Sequence, residues 1–270
     1  MLRPRIIPCL LIYKEALVKT KIFKDPKYVG DPINAVRIFN EKEADELIVL
    51  DIGATINSMQ PNFSLIAKLA AECRMPLCYG GGVTSVEQVT KLVDMGVEKV
   101  AVSSAAISNP LLLREMVAAV GSQSVVVVLD LYKKKNSFSK SYELCSHNAT
   151  KFYKDNLLDL IKKFQELGVG EIVINSVDRD GLMQGYDLEL AQQAKSNTKV
   201  PLTFLGGAGS LQNISDLISQ AGIVGAAAGS LFVFKGSYRA VLINYPTPKQ
   251  KMKICEQVMI NSNDKGDFRV

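Results

Sequence analysis

The chain has 270 residues, 47% of them hydrophobic, which suits one large domain with an extensive core. No run reaches the roughly 18 apolar residues of a membrane span, and the net charge of +5 is spread out, without the basic and aromatic clusters of nucleic-acid-binding proteins. Five cysteines without metal-ligand spacing and a single histidine argue against a metal site and favour a reduced, cytoplasmic protein without a cofactor. We expect the histidine, His147, to be a solvent-exposed loop residue.

Short β-branched runs alternate along the chain with longer stretches of helical periodicity. The predicted strands are residues 5–12, 46–52, 76–80, 98–103, 125–130, 170–176, 200–205 and 223–228. This alternation predicts parallel strands joined by helical crossovers. Eight strands in a chain of this length favour a closed (β/α)8 TIM barrel, with an open doubly wound sheet as the alternative. The unbroken apolar run of residues 125–129 is typical of a strand buried on both faces.

The two ends of the chain belong to different predicted elements. The apolar run at residues 5–13 is short, is broken by Pro8 and has no cleavage site after it, so we interpret it as a buried strand instead of a signal peptide. We assign residues 1–235 to the barrel. Residues 236–270 form a tail with a helical pattern at residues 249–260, and we expect this helix to pack on the barrel.

An internal repeat indicates that the barrel consists of two homologous halves. The pairs related by an offset of 125 residues are Glu46 and Glu171, Pro76 and Pro201, Gly81 and Gly206, and Gly82 and Gly207. Chance seldom brings several separate strand ends into register at one offset. We therefore predict two half-barrels of four βα units each and no separate second domain.

Loops rich in small residues follow four of the predicted strands, at the end of a barrel where active groups lie. These loops are residues 80–83, 103–106, 206–209 and 229–230. Glycines let backbone N–H groups approach an anion, and the N-terminus of a following helix adds a favourable dipole. Two such pairs on opposite sides of the mouth predict a substrate with a phosphate at each end. The alternative is that the glycines only permit tight turns.

These loops and several further motifs resemble HisF, the cyclase subunit of imidazole glycerol phosphate synthase. The resemblance extends from Met1 to about Phe234. The motifs that carry it include Arg5-Ile6-Ile7-Pro8-Cys9-Leu10, Gly30-Asp31-Pro32, Asp45-Glu46-Leu47, Leu50-Asp51-Ile52, Gly80-Gly81-Gly82, Gly121-Ser122-Gln123, Asp178-Arg179-Asp180-Gly181, Gly185-Tyr186-Asp187 and Gly206-Gly207-Ala208-Gly209.

The resemblance implies a cyclase that uses ammonia from a glutaminase partner, HisH. In this family the partner docks at the N-terminal face of the barrel, and ammonia passes along the barrel axis to a bisphosphorylated ribonucleotide, giving imidazole glycerol phosphate and aminoimidazole carboxamide ribonucleotide. Two aspartates, on the first and fifth strands, act as general acid and base. Asp130 matches the second of them, but Leu11 stands at the position of the first. Leucine cannot transfer a proton, and losing one such group lowers a rate roughly 10²–10⁴-fold.

The resemblance also assigns residues that bind substrate and phosphate around the mouth. They are Lys19, Asp51, Gly81, Gly82, Ser103, Ser104, Asp180, Gly181, Gly206, Gly207, Gly229 and Ser230. Ser103 and Ser104 replace the Asn-Thr of the family, Asn175 replaces a threonine, and Leu205 replaces a small polar residue. The long loop at about residues 13–32, which contains Lys19, is a candidate lid.

Four charged residues at the N-terminal ends of predicted strands match the ammonia gate of the family. They are Arg5, Glu46, Lys99 and Glu171. Two positive and two negative groups can neutralise one another and still part to admit a small neutral molecule. The alternative is a structural role, because features at this end of a barrel usually serve stability.

The sequence leaves several functions open. The first is a HisF cyclase of histidine biosynthesis, which does not explain Leu11. The second is a HisF-like paralogue that conducts ammonia to another acceptor, such as a sugar amidated in surface-polysaccharide biosynthesis, and we favour it as the biological role. The third is a non-catalytic scaffold that activates a glutaminase. The related isomerase HisA is a weaker alternative, because it also needs a first-strand carboxylate and has no use for the charged ring.

Overall fold

The computed structural model describes residues 3–134 and 142–263 of the chain. Its strands in chain order are β1 (Arg5–Tyr13), β2 (Ala16–Lys21), β3 (Lys24–Gly30), β4 (Leu47–Asp51), β5 (Leu77–Gly80), β6 (Lys99–Val102), β7 (Val125–Lys133), β8 (Tyr142–Ser146), β9 (Lys151–Tyr153), β10 (Glu171–Ser176), β11 (Leu202–Leu205), β12 (Gly225–Ala228), β13 (Phe234–Lys235) and β14 (Ala240–Val241). Its helices are α1 (Pro32–Glu41), α2 (Phe63–Glu72), α3 (Val86–Asp94), α4 (Ser104–Ser108), α5 (Leu111–Val120), α6 (Leu157–Glu166), α7 (Leu188–Lys195), α8 (Leu211–Ala221), α9 (Ser230–Val233) and α10 (Pro248–Asn263).

Eight of these strands form a closed parallel barrel. They are β1, β4, β5, β6, β7, β10, β11 and β12, and each hydrogen-bonds to the next. The pairing of β12 with β1 closes the ring, with Arg5 opposite Gly225 and Pro8 opposite Ala228. The predicted (β/α)8 barrel is thereby confirmed, and an open doubly wound sheet is excluded. The C-terminal ends of these eight strands form the mouth, and their N-terminal ends form the floor.

The barrel has two apolar layers because successive side chains of a strand point to opposite faces. In β7, Val126 and Val128 point into the barrel, whereas Val125, Val127 and Leu129 belong to the layer between strands and helices. This accounts for the unbroken apolar run in the sequence. The helices cover the outside with amphipathic faces, and several begin at a side-chain cap, as α3 does with the capping box of Ser85 and Gln88.

Two hairpins extend from equivalent strands in the two halves. β2 and β3 form an antiparallel ladder on the end of β1, and β8 and β9 form another on the end of β7. Our description of residues 13–32 as a loop is therefore wrong, since most of this segment is strand. The polar residues of this segment show no strand periodicity because they lie outside the barrel interior. The segment forms strands because it pairs with the projecting end of β1.

The C-terminal tail contacts the barrel, and its predicted helix corresponds to α10. Ile254 of α10 is buried, and the ring of Tyr245 lies against Phe39 and Phe232 with centroids 6.4 and 5.4 Å away. The Lys251 ammonium bonds the Asp45 carboxylate at 3.0 Å. These contacts attach the tail beside the floor of the barrel. The boundary at residue 235 remains a prediction.

Candidate active site

One cavity at the mouth brings together the mouth residues singled out in the sequence. Its lining includes Leu11, Lys19, Asp51, Gly81, Gly82, Ser103, Ser104, Asp130, Asp180, Gly181, Gly206, Gly207, Gly229 and Ser230. They come from the ends of strands around the whole barrel and from the β2 hairpin. Residues far apart in sequence meet here because the closed sheet brings all its C-terminal ends to one rim.

Asp130, in β7, is the carboxylate of the mouth with the most perturbed titration. The Asn175 amide on the adjacent β10 donates to its Oδ1 at 2.9 Å. Burial raises the pKa of Asp130 to about 6, and the negative charge of Asp180 adds to the rise, whereas the Asn175 hydrogen bond opposes it. A carboxyl group with such a pKa can both give and take a proton near neutral pH.

Leu11 contributes only hydrocarbon to the same cavity. It pairs with Leu50 of β4 and Val18 of β2, and it belongs to the apolar cluster that fills the barrel axis. Leu205, on β11 two strands away around the barrel, belongs to the same cluster. The mouth therefore carries Asp130 above the apolar cluster of the barrel axis, without a carboxyl group on β1.

Lys19 and Asp180 hold the β2 hairpin against the eighth-strand side of the mouth. The Lys19 ammonium is buried, donates to the Cys9 carbonyl at 2.6 Å and lies beside Gly229, where a Cβ atom would be 2.5 Å from it. Burial lowers the pKa of Lys19. The Thr20 hydroxyl donates to Asp180 at 2.7 Å, and burial raises the pKa of that carboxyl. A buried cation near Gly229 is suited to an anionic ligand.

The mouth glycines satisfy a backbone requirement of their own. Gly81 and Gly207 have φ of 122° and 102°, and a Cβ on either would collide with a backbone carbonyl, that of Asp51 and that of Gly185 respectively. Turn geometry thus accounts for these glycines without a ligand. The better indication of a ligand is polar: among the described residues, Ser103 Oγ and Asn175 Oδ1 are buried without a hydrogen-bond partner.

His147 does not lie where we expected it. It is half-buried and lines the mouth, and its Nδ1 is 2.8 Å from the Ser146 hydroxyl. The neighbouring Asn148 side chain donates to the Ile52 carbonyl at 3.0 Å, which fixes the hairpin turn over the rim. The expectation of full exposure failed because the β8–β9 hairpin is recognisable only from its pairing with β7.

The four charged residues predicted at the floor form a closed ring of ion pairs. Arg5 bonds Glu46 and also Glu171, the latter at 2.7 Å, and Lys99 bonds Glu46 and Glu171, each at 2.8 Å. The Thr203 hydroxyl donates to Glu171 as well. Each cation thus bridges both carboxylates, and each carboxylate bridges both cations.

Ion pairing outweighs burial at the floor. Desolvation alone would lower the pKa of Arg5 and Lys99, but the two glutamates raise both. Arg5 and Lys99 conversely lower the pKa of Glu171 against a desolvation that raises it. Arg5, Lys99 and Glu171 therefore keep their charges at neutral pH.

Small, uncharged side chains occupy the axis between the floor ring and the mouth. Ile7, Cys9, Cys78, Ala101 and Ala227 belong to this apolar cluster. Burial raises the pKa of Cys9 to about 11 and that of Cys78 well above its ordinary value, so both thiols are neutral. All five cysteines are free. The described residues that make up this cluster are all apolar.

Fold and site together define a (β/α)8 protein with a carboxyl- and glycine-lined mouth and a ring of ion pairs at the floor. The family model described as histidine biosynthesis protein matches residues 5–239. A Leptospira borgpetersenii protein, provisionally named as the HisF subunit of imidazole glycerol phosphate synthase, is 56% identical over 93% of this chain and 98% of its own length. A Vibrio vulnificus protein with a similar provisional name is 52% identical over 95% and 98%.

A protein from Alkaliphilus metalliredigens is 34% identical over 86% of this chain and 91% of its own length. It is named, without a provisional marking, as the HisF subunit of imidazole glycerol phosphate synthase. The chain belongs to the histidine biosynthesis family, as a member of the HisF type. It is more similar to the provisionally named relatives than to this one.

Within residues 3–134 and 142–263, no helix is long and apolar enough to cross a membrane. The same part of the chain contains no group of three or more His, Cys, Asp or Glu side chains placed to hold a metal ion.

Proposed function

We propose that this chain is the ammonia-using subunit of a two-protein glutamine amidotransferase, and that it delivers ammonia to a phosphorylated acceptor other than the bisphosphorylated ribonucleotide of HisF cyclases. The observation that carries the proposal is the contrast between the two ends of the barrel. The floor has the complete charged ring, whereas the mouth has Leu11 in the place of a proton-transfer group.

The floor and the axis suit a small neutral molecule. Ammonia without charge can cross an apolar axis, whereas an ammonium ion would lose its hydration without gaining a partner. The mutually paired ring at Arg5, Glu46, Lys99 and Glu171 excludes water and ions until the pairs separate. A HisH-type glutaminase docked on the N-terminal face would release ammonia directly onto this ring.

The mouth suits an acceptor with phosphate groups and one proton-transfer step. Lys19 beside Gly229 supplies a buried cation, and the Gly229–Ser230 turn opens α9. Asp130 acts as the acid or base for the reacting group, with Asn175 fixing its orientation. Ser103 and Asn175 offer unused polar atoms to the acceptor between the two ends.

A second candidate is the HisF cyclisation itself, and the relatives named as HisF favour it. Cyclisation by the family needs a second carboxyl group across from Asp130, and Leu11 occupies that position. The cyclase would then depend on a single aspartate, which costs roughly 10²–10⁴-fold in rate. The scaffold alternative is less favoured because it leaves Asp130 and the buried Lys19 without a role.

Turnover with the family substrate distinguishes these functions. The chain is purified together with the HisH-type glutaminase of its own source and supplied with glutamine and the bisphosphorylated ribonucleotide. We expect glutamine hydrolysis but little imidazole glycerol phosphate from the parent, and a rise of roughly 10²-fold or more in Leu11→Asp. The matched control is Leu11→Asn, which is polar but cannot exchange a proton. Rapid cyclisation by the parent would overturn the proposal.

The gate has a separate test. Replacing Glu46 or Lys99 with alanine removes two of the four ion pairs and opens the ring to water. We expect glutamine hydrolysis to continue while ammonia escapes to solution, measured as free ammonia per glutamate formed. Unchanged partition in both variants would make the ring a structural feature only.

The assignments of residues 1–235 to the barrel and of the chain to the cytoplasm belong to this proposal.

A further inference from the structure

The tail contacts the barrel at the two residues that lie next to the charged ring. Tyr245 is buried, its hydroxyl donates to the Ile6 carbonyl at 2.7 Å, and the same oxygen accepts the Asp45 N–H at 3.1 Å. Ile6 follows Arg5 in the chain, and Asp45 precedes Glu46. One side chain of the tail therefore bridges the backbones that carry two adjacent members of the ring.

The bridge fills a gap left by the stagger of the barrel. β1 pairs with β4 only from Cys9 onward, so Ile6 has no strand partner on that side. The Asp45 carboxylate accepts the Ile6 N–H at 3.0 Å, and the Tyr245 hydroxyl donates to the Ile6 carbonyl. Both backbone groups of Ile6 are satisfied by side chains in place of a β ladder.

Lys251 of α10 braces the same connection. Its ammonium donates to Asp45 Oδ1 at 3.0 Å and to the Glu43 carbonyl at 2.8 Å. It also lies over the Tyr245 ring, 5.3 Å from the centroid. The carboxylate that holds Ile6 is thereby fixed from both the barrel and the tail.

We propose that Tyr245 is a positioning residue for the ammonia gate: its hydroxyl holds the edge of the ring formed by Arg5 and Glu46, and thereby keeps the ring closed. This inference rests on the proposed function, because it gives the tail a part in the entrance proposed there. Tyr245 touches neither ammonia nor acceptor. It acts through the backbone, which fixes where the Arg5 and Glu46 side chains begin.

The test uses Lys99 as a reporter on the free, full-length chain. Lys99 bonds both glutamates of the ring and is 19% exposed, so its amine is protected while the ring is closed. Acylation by trace acetic anhydride, followed by mass spectrometry, gives its rate relative to the exposed Lys162. In Tyr245→Phe we expect the Lys99 rate to rise roughly tenfold, since two hydrogen bonds that oppose opening are lost.

Tyr186→Phe is the matched control. Tyr186 is also a buried tyrosine with a hydroxyl bonded to a backbone carbonyl, that of Ala227 at 2.8 Å, but the strand of that carbonyl, β12, carries no ring residue. It should lower the melting temperature as Tyr245→Phe does and leave Lys99 acylation unchanged. Equal Lys99 rates in Tyr245→Phe and the parent, or an equal rise in both variants, would overturn the inference.

The labelling needs no glutaminase and no acceptor, so its outcome is independent of the proposed function. In the complex with the glutaminase, Tyr245→Phe should also raise the ammonia lost per glutamate formed. Faster Lys99 acylation in Tyr245→Phe would support the positioning role. If the ammonia lost per glutamate stayed unchanged in that variant, the gate function of the ring would be contradicted. No release of Lys99 contradicts the positioning role, whatever the complex does.

Discussion

The buried surroundings of Asp130 favour its neutral, protonated form over the carboxylate. Burial raises its pKa from 3.8 to about 6. The folded state therefore binds the proton more tightly than the unfolded state, so Asp130 costs stability increasingly as the pH rises from 3.8 to about 6, and the full cost is present above that. That cost is the physical counterpart of a group able to exchange protons near neutral pH.

Asp130→Asn tests this cost. The amide can keep the oxygen that accepts from Asn175, and it cannot ionise. We expect the variant to melt at a higher temperature than the parent at pH 7.5 and to lose most of that advantage by pH 4, close to the unfolded value of 3.8, because the cost builds up between 3.8 and about 6. Scanning calorimetry at both pH values measures this. A constant difference would contradict the raised pKa.

Lys19 is the second residue of the mouth in an unfavourable environment. Its ammonium is buried with a carbonyl as its short contact, and burial lowers its pKa. We expect Lys19→Met to be more stable than the parent in phosphate-free buffer, since a buried charge whose desolvation outweighs its attraction to Asp180 is removed. Inorganic phosphate should raise the melting temperature of the parent and of the surface control Lys162→Met but not of Lys19→Met. An equal rise in all three would remove Lys19 from the phosphate site.

Residue identities in the mouth could be predicted where a motif marks them, as for Asp130 and the glycine pairs. His147 could not, because its place depends on a hairpin whose pairing partner is distant in sequence. The unpartnered oxygens of Ser103 and Asn175 also need three-dimensional packing to become visible. The sequence shows which polar groups are present, whereas only packing shows which of them lack a partner.

At the scale of elements, the floor ring depends on the starts of four barrel strands. Lys99→Met leaves Glu46 and Glu171 with Arg5 as their shared cation, and breaking a buried pair by removing one partner costs about 3–5 kcal/mol. We expect a loss of this size in urea unfolding at pH 7, and a much smaller one in Lys99→Arg.

The acid dependence of that loss follows from the direction of the Glu171 shift. Its pKa is lowered from 4.5 by Arg5 and Lys99, so its pairing stabilises the fold above its ordinary value and is lost as the pH falls through the lower folded value. The difference between parent and Lys99→Met should therefore shrink towards pH 4. A difference that stays constant down to pH 4 would contradict the pairing as its source.

The barrel strands could be predicted within a few residues because both of their faces are buried. The two hairpins could not, since β2, β3, β8 and β9 lie outside the barrel wall and mix polar with apolar residues. Their positions agree with the repeat, because each hairpin extends the first strand of a half-barrel.

At the scale of the whole molecule, closure depends on contacts between the two ends of the chain. β12 pairs with β1, and Tyr245 bonds Ile6, so separation of the tail would expose Phe39 and Phe232. The periodicity of the sequence fits an open sheet as well as a closed one, because the β12–β1 pairing has no local signal. The closed barrel could be favoured from the sequence only through the number of strands for this length and the motifs shared with HisF.

We therefore expect barrel and tail to unfold together. Calorimetry should show one transition whose calorimetric and van't Hoff enthalpies agree. Truncation after Asn244 should lower the melting temperature by several degrees, because it removes Tyr245 and the Lys251–Asp45 pair. A separate low-temperature transition for the tail in the parent would contradict this integration.

The floor ring divides its charges unequally between the two half-barrels. Arg5, Glu46 and Lys99 come from the first four barrel strands, and Glu171 comes from the last four. Expressed as separate fragments, the first half would thus bring an excess cation to the shared face and the second an excess carboxylate. Two copies of one half would set like charges against each other, whereas unlike halves neutralise them. The charges of the ring thus favour the pairing of unlike halves over that of like halves.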